Sequence, residues 1–421
     1  MIGFFIAAIK IVFILGFLVF IHEGGHFLVA KLCKVKVNEF AIGFGPTIWS
    51  KQGKETKYAL RLVPLGGFVN MEGEEERSDA EGSFSNASIP KRIAIVAAGG
   101  LVNILFALIV YFTLFSFTGN NISNIIDSLH PEYGAEIAGI QVEDEIIKID
   151  GKRIRNKKDL DKAIQKSNGN TISVELKRNG EKKTIQVKPT EEKYNYTGIY
   201  LSAKEGKGST EIVAIYPDSP AEKSGLLVGD VVLKINGLDV ENDVTKLVDL
   251  IEKSESKQID FEIKRSDEIV NLNVTAEEIS TYLLGVTLRK AENSILNNCY
   301  YAFWETGYFA ANVIDNIRML FTGNVRLNQL MGPVGIGEVV AETAGLADFI
   351  YTLALISISL GATNLLPFPP LDGGKIVILL IEAIRRKPLK EKTEVTIQMI
   401  GFVLLIGLSI IVTYNDVLRI F

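Results

Sequence analysis

The chain has 421 residues, 47% of them hydrophobic, and a mean hydropathy of +0.22, so it exceeds a single core and suggests two to four structural units. Forty-five Lys and Arg against 50 Asp and Glu leave a formal charge of −5 with no basic stripe, which excludes a nucleic-acid-binding protein. The only two cysteines, Cys33 and Cys299, fall on opposite sides of the membrane topology given below, which excludes a disulfide between them.

Apolar residues concentrate in four stretches long enough to cross a bilayer, which takes about 20 residues of helix. These are Ile2–Ile21 (interrupted by Lys10), Ile93–Phe117, Phe349–Pro367 and Thr396–Tyr414. The first has no basic leader and no small-x-small cleavage site, so it reads as an anchor rather than a signal peptide. Two connections are rich in Lys and Arg: 31–92, with Lys31, Lys34, Lys36, Lys51, Lys54, Lys57, Arg61, Lys91 and Arg92, and the one after the third span, with Arg385, Arg386, Lys387, Lys390 and Lys392. Both are expected to be cytoplasmic, with the termini and the long region 118–348 on the outer side.

The first span runs into "FLVFIHEGGHFLVA", residues 17–30. On a helix, His22 and His26 lie one turn apart on one face, where two imidazoles can share a metal ion, with Glu23 beside them. This is the H-E-x-x-H arrangement, whose glutamate serves as general base toward water at the metal. A charged side chain in a membrane helix costs roughly 3 kcal/mol, so three ionisable groups in one turn point to function rather than chance. Gly24 and Gly25 admit close approach of a substrate or helix. A catalytic zinc usually takes a third protein ligand. The remaining histidine, His130, belongs to the outer region, and the positions where a metzincin continues with Gly and His hold Val29 and Leu32. The third ligand is therefore expected to be a carboxylate, with Glu39, Asp372 and Glu382 as candidates.

Residues 32–71 alternate in polarity and carry Gly43, Gly45, Gly66 and Gly67, which reads as a membrane-associated β-structure with strands near 35–50 and 56–70. It sits at the cytoplasmic membrane face, and 73–88 is a polar loop.

The outer region repeats itself. "PEYGAEIAGIQVEDEIIKIDGKRI" from Pro131 returns as "PDSPAEKSGLLVGDVVLKINGLDV" from Pro217, 86 positions on, matching Ala135/Ala221, Gly139/Gly225, Asp144/Asp230, Ile149/Ile235 and Gly151/Gly237. Each copy continues through a helical segment and a strand to a closing "TGIYL" or "LLGVTL". The pattern resembles bacterial PDZ domains in circularly permuted form, which implies two tandem α+β modules, 119–203 and 208–289, binding peptides by strand addition.

Residues 294–322 place aromatic and apolar residues at helical spacing, but Glu305, Asn312, Asp315 and Asn316 argue against a fifth span. An amphipathic helix on the outer membrane surface, followed by a linker to 345, is the reading. In "NLLPFPPLDGG", residues 364–374, Pro367, Pro369 and Pro370 break the third span, and broken backbone at membrane depth lines a cavity or is buried in protein. Asp372 there is either a helix N-cap or a ligand.

Together, "HEGGH", "NLLPFPPLDGG" and the paired outer modules resemble the site-2 protease family of intramembrane zinc metalloproteases. "GFGP" at 43–46, "VPLGGFVNM" at 63–71 and "GPVGI" at 332–336 extend the resemblance over nearly the whole chain. It implies a multi-pass protein of the bacterial inner membrane. Residues 1–117 hold the first two transmembrane helices, the H-E-x-x-H motif and the β-structure, and 346–421 the last two helices. His22, His26 and Asp372 would hold Zn²⁺ and Glu23 would be the base. Asn364 and Pro367, in N-x-x-P-x-P-x-L-D-G, and Gly66, Gly67 and Phe68 on the β-structure would meet the substrate. The implied substrates are single-span proteins, an anti-sigma factor or remnant signal peptides, with the PDZ-like modules as a filter that takes a peptide ligand or excludes bulky outer domains. The second span departs from the family: Gly100 replaces a proline, while Asn103 is kept.

Overall fold

A computed structural model describes residues 2–74, 76–119, 121–201, 210–322, 332–343 and 345–420. It divides into a membrane unit, 1–119 with 292–421, and an inserted unit, 120–291.

Helix α1 (Ile2–Leu32) carries the first span and the H-E-x-x-H turns in one continuous element. The span therefore extends beyond the expected Ile21, its apolar window being Ile9–Leu32. Lys34, at φ 63, ends it in a left-handed cap in which Val35 N–H donates to Ala30 C=O. Strands β1 (Val37–Gln52) and β2 (Lys57–Met71) form the expected sheet, whose register doubles back: Glu39–Ile42 faces both Lys57–Leu60 and Gly67–Asn70. Gly43 and Gly66, at φ +86 and +120, make the bends, and a side chain at Gly66 would collide with the Phe44 ring. Helix α2 (Ile89–Thr118) opens on Pro90 and closes on Gly119 in the left-handed region.

The inserted unit shows the repeat in its side chains as well as its pattern. Module one contains β3 (Ile122–Leu129), α3 (Gly134–Ile137), β4 (Glu145–Ile149), β5 (Lys152–Arg153), α4 (Lys157–Lys166), β6 (Ile172–Arg178), β7 (Glu181–Val187), β8 (Thr190–Tyr196) and β9 (Ile199–Leu201). Its counterpart contains β10 (Ile212–Ile215), α5 (Pro220–Lys223), β11 (Val231–Ile235), β12 (Leu238–Asp239), α6 (Val244–Glu252), β13 (Gln258–Arg265), β14 (Glu268–Thr275), β15 (Glu277–Leu283) and β16 (Val286–Lys290). Arg178 Nε donates to Asp144 Oδ1 at 2.7 Å and its Nη2 to Gly139 C=O; Arg265 repeats this with Asp230 at 2.8 Å and Gly225.

The modules are not serial. β16 pairs with β3, giving the sheet β16-β3-β4-β6-β7, and β9 pairs with β10, while β8 pairs with β15. Leu284, Val286 and Leu288 join the core of module one, and Ile199 and Leu201 join that of module two. The boundaries 119–203 and 208–289 are thus corrected: each copy ends in the strand that completes the other. Because the copies share one pattern, either closing strand matches either sheet in sequence, and the β8–β15 pairing brings each to the opposite core.

Helix α7 (Ile295–Phe321) places Ala302 and Phe309 beside Tyr111 of α2 and Tyr351 of α9 (Leu346–Asn364). The stretch read as a linker to 345 contains α8 (Pro333–Glu342), since an apolar "GPVGIGEVV" can bury a face; residues 323–331 lie outside the described residues. Its N-terminal Gly335 N–H donates to Asp416 Oδ2 at 2.8 Å, and Lys10 Nζ meets Thr343 at its C-terminal end at 3.0 Å. Each charge has the sign its helix end favours. Helices α10 (Asp372–Arg385) and α11 (Glu391–Ile420) complete the chain. The third span ends at Asn364 rather than Pro367, because the proline-rich loop folds back on α10. A Cβ on Gly373 would lie 2.1 Å from Leu366 O, so only glycine fits. Within the described residues, four helical stretches have the length and hydropathy of membrane spans: Ile9–Leu32, Ile89–Thr118, Leu346–Asn364 and Glu391–Val417.

Candidate metal centre

Three donor atoms converge at the junction of α1 and α10. Asp372 Oδ2 lies 3.3 Å from His22 Nε2 and 3.4 Å from His26 Nε2, and the two Nε2 atoms are 3.3 Å apart. Both histidines are buried. The helical spacing sets the two imidazoles. Asp372 arrives from the first turn of α10, where it does not cap the helix: Leu371 is the N-cap.

Helix α2 forms the floor. Gly25 lets α1 settle on it, since a Cβ there would be 2.6 Å from Ala98 O. A Cβ on Gly99 would stand 2.3 Å from His26 Nε2 and 2.7 Å from His22 Cε1, so the imidazoles occupy the volume that a side chain would fill. Gly100 and Gly361 give α2 and α9 the same closeness; a Cβ on Gly100 would be 2.9 Å from Gly361 O. At Gly100, where the family has proline, glycine thus serves a helix crossing. His26 Nδ1 meets Ile95 C=O at 2.8 Å, which leaves Nε2 with a free lone pair. His22 has Asn103 Nδ2 at 3.3 Å from Nδ1 and Asn364 Nδ2 at 3.3 Å from Nε2.

The residues fit a zinc ion. Their ligand atoms all lie within 4.8 Å of one another. Asp372 Oδ2 is buried and has no hydrogen-bond donor, an expensive position for a carboxylate oxygen unless a cation completes it. Two imidazole nitrogens and one carboxylate would hold a zinc ion as three ligands and leave room for a fourth.

The centre opens into a cavity of about 390 Å³ lined by Glu23, Gly67, Phe68, Glu74, Lys375, Glu391 and Gln398, among others. Gly67 packs on α1: a Cβ there would be 3.2 Å from Glu23 Cγ. The strand Gly67–Met71 pairs with β1 on one side, and the sheet has no third strand among the described residues. Not every expected residue reaches the centre. Gly66 makes a bend against Phe44, and Pro367 is exposed in the loop. Glu39 pairs with Arg61 at 2.8 Å, Glu382 is buried against Arg92 at 3.2 Å, and His130 lies in the inserted unit near Thr287. Glu74 and Lys375, paired at 2.7 Å, line the cavity unanticipated. Lys375 had a legible signal, one helical turn after Asp372.

The H-E-x-x-H turn with a converging aspartate, in a unit holding four helices of span length, has the donor set and composition expected of a membrane-embedded metallopeptidase. The model of peptidase family M50 matches residues 10–408. The regulator of sigma E protease of Haemophilus influenzae is 31% identical over 99% of this chain and 98% of its own. The zinc metalloprotease RasP of Shouchella clausii is 31% identical over 97% and 98%. The HtrA3 PDZ domain bound to a phage-derived ligand aligns with 22% of this chain and 93% of its own, at 19% identity and a TM-score of 0.19. The chain belongs to peptidase family M50, and it is a zinc metalloendopeptidase.

Proposed function

We propose that this enzyme cleaves single-span membrane proteins within the bilayer at a zinc held by His22, His26 and Asp372. The observation that carries this reading is the convergence of those three donors beside Glu23, with both histidines on a helix that has the composition of a membrane span and Asp372 at the start of α10. Zinc, when bound, supplies Lewis acidity, polarising the scissile carbonyl and making water acidic near neutral pH. Glu23 takes the proton of the attacking water and returns it to the leaving amine.

A transmembrane substrate hides its peptide bonds in its own helix, so it must unwind before attack. The Gly67–Phe68 stretch offers backbone groups to the unwound strand. Glycine at 67 keeps that backbone close to Glu23. Asn364, beside His22, orients the scissile peptide.

An anti-sigma factor or remnant signal peptides are the substrates we favour, the first in keeping with the name of the Haemophilus relative, a regulator of sigma E protease. The basic loops support an inner-membrane topology with the active site toward the cytoplasm and the repeated modules outside. There the modules act as a PDZ-like filter, taking a peptide strand or excluding bulky outer domains.

The test uses purified full-length protein with a single-span substrate. Glu23→Gln lowers the cleavage rate about 10²- to 10⁴-fold while zinc content stays at the wild-type level, and Asp372→Ala lowers zinc content. Cleavage by Glu23→Gln at the wild-type rate would refute the reading. Deleting 120–291 tests the filter: unchanged discrimination between trimmed and untrimmed substrate sinks it.

A further inference from the structure

We infer that Asn103 is a positioning residue of the metal centre: its amide oxygen holds the proton of His22 Nδ1 and so leaves Nε2 bare for zinc. This rests on the zinc reading above. Both ring nitrogens of His22 face an amide nitrogen, Asn103 Nδ2 at Nδ1 and Asn364 Nδ2 at Nε2, each at 3.3 Å. A neutral imidazole has one acceptor nitrogen, so it cannot accept from both amides. Nε2 is the nitrogen facing Asp372 and His26 and must keep its lone pair for the metal. The proton therefore sits on Nδ1, which requires an acceptor there rather than an amide N–H.

Asn103 provides it by a half-turn of its amide. Its Oδ1 is buried and has no hydrogen-bond partner, so nothing holds that oxygen where it stands. The residue is fully buried, and its backbone carbonyl is fixed by the Ser357 hydroxyl at 2.8 Å. His26 has the same arrangement from the same helix, with Ile95 C=O 2.8 Å from its Nδ1. Helix α2 thus sets the tautomer of both imidazoles, once through backbone and once through a side chain. Such outer partners orient metal-binding histidines, and their loss typically lowers metal affinity about 10- to 100-fold.

The experiment compares Asn103→Asp and Asn103→Leu with the wild type in full-length, detergent-purified protein. Zinc affinity is measured by competition with a chelator, and thermal unfolding reports folding. Aspartate keeps the acceptor and loses the donor; leucine loses both. We expect Asn103→Asp to hold zinc about as well as wild type and Asn103→Leu to bind it about 10- to 100-fold more weakly. Only three histidines are present, so ¹⁵N-histidine NMR of the zinc-loaded wild type resolves the tautomer directly, and His22 should be protonated at Nδ1. Equal weakening in both variants, wild-type affinity in Asn103→Leu, or a proton on His22 Nε2 overturns the inference. If the wild type itself binds no zinc, the failure lies in the proposed function and takes this inference with it. If leucine prevents folding, the aspartate variant and the NMR tautomer decide.

Discussion

Asp372 Oδ2 sits 3.3 Å from His22 Nε2, although the two residues belong to the first turn of α10 and the lower part of α1, with the second and third spans between them in sequence. The contact ties together the two motifs that the chain keeps farthest apart. It also leaves the carboxylate oxygen without a hydrogen-bond donor.

That geometry sets the first expectation. Asp372→Asn keeps the shape but replaces the proposed charged ligand with a neutral one, and Asp372→Ala removes it. Zinc content measured by mass spectrometry should fall in both, further in alanine. Glu23→Gln should keep zinc and lose about 10²- to 10⁴-fold in cleavage rate, the usual contribution of a general base.

Two glycines separate packing from chemistry. Gly99→Ala drives a methyl group to 2.3 Å from His26 Nε2, whereas a Cβ at Gly24 meets nothing within 4 Å. Zinc affinity should drop about tenfold or more in Gly99→Ala, comparable to losing an outer-shell partner. Gly24→Ala should leave affinity unchanged and raise the unfolding temperature slightly, since alanine is favoured over glycine in a helix by about 1 kcal/mol.

Glu382, a candidate ligand in the sequence, carries a different load. It is 3% exposed and joins Arg92 of α2 at 3.2 Å and the Leu389 N–H at 2.7 Å. Glu382→Ala leaves the Arg92 guanidinium facing a void, which should cost about 3 kcal/mol or more. Thermal unfolding in detergent would show the loss, while zinc stoichiometry should stay near one per chain.

The exchanged closing strands predict one cooperative fold for the inserted unit. A 120–291 fragment should unfold in a single calorimetric transition, and 119–203 alone should not fold, because Leu284, Val286 and Leu288 would be missing from its core. Independent folding of 119–203 would contradict the exchange.

The inserted unit should also weaken in acid. Burial raises the Asp144 pKa, but the hydrogen bonds and charge of Arg178 outweigh it and hold the carboxyl below its ordinary value. A depressed pKa contributes stability that is present above the unfolded value, near 4, and is lost as pH falls through the folded one. Denaturant midpoints of the 120–291 fragment between pH 2 and 6 should fall at the acid end, and Asp144→Asn should flatten that fall.

Much of this was readable in the chain because the signals are local. The helical spacing of His22, Glu23 and His26 depends on five consecutive residues, and the apolar spans on their own composition. The repeat is visible because both copies keep the same glycines and Asp144/Asp230. The positions that complete the centre were less visible: Gly99 reads as one small residue among several, and Ile95 contributes only a backbone carbonyl, which no side-chain pattern encodes.

The amino-acid order by itself determined the elements and the chemistry available to them: two imidazoles and a carboxylate on one helical turn, a helix broken at the prolines, and a duplicated β-rich insert. Tertiary structure decided the rest. It brought Asp372 to the two imidazoles and set Glu39 and Glu382 against arginines, and it crossed the closing strands between modules. The reason is physical: which carboxylate reaches the imidazoles depends on helix crossings set at Gly25, Gly99 and Gly100, and which sheet a strand joins depends on the distance between edges. Neither quantity is a property of any short stretch of sequence.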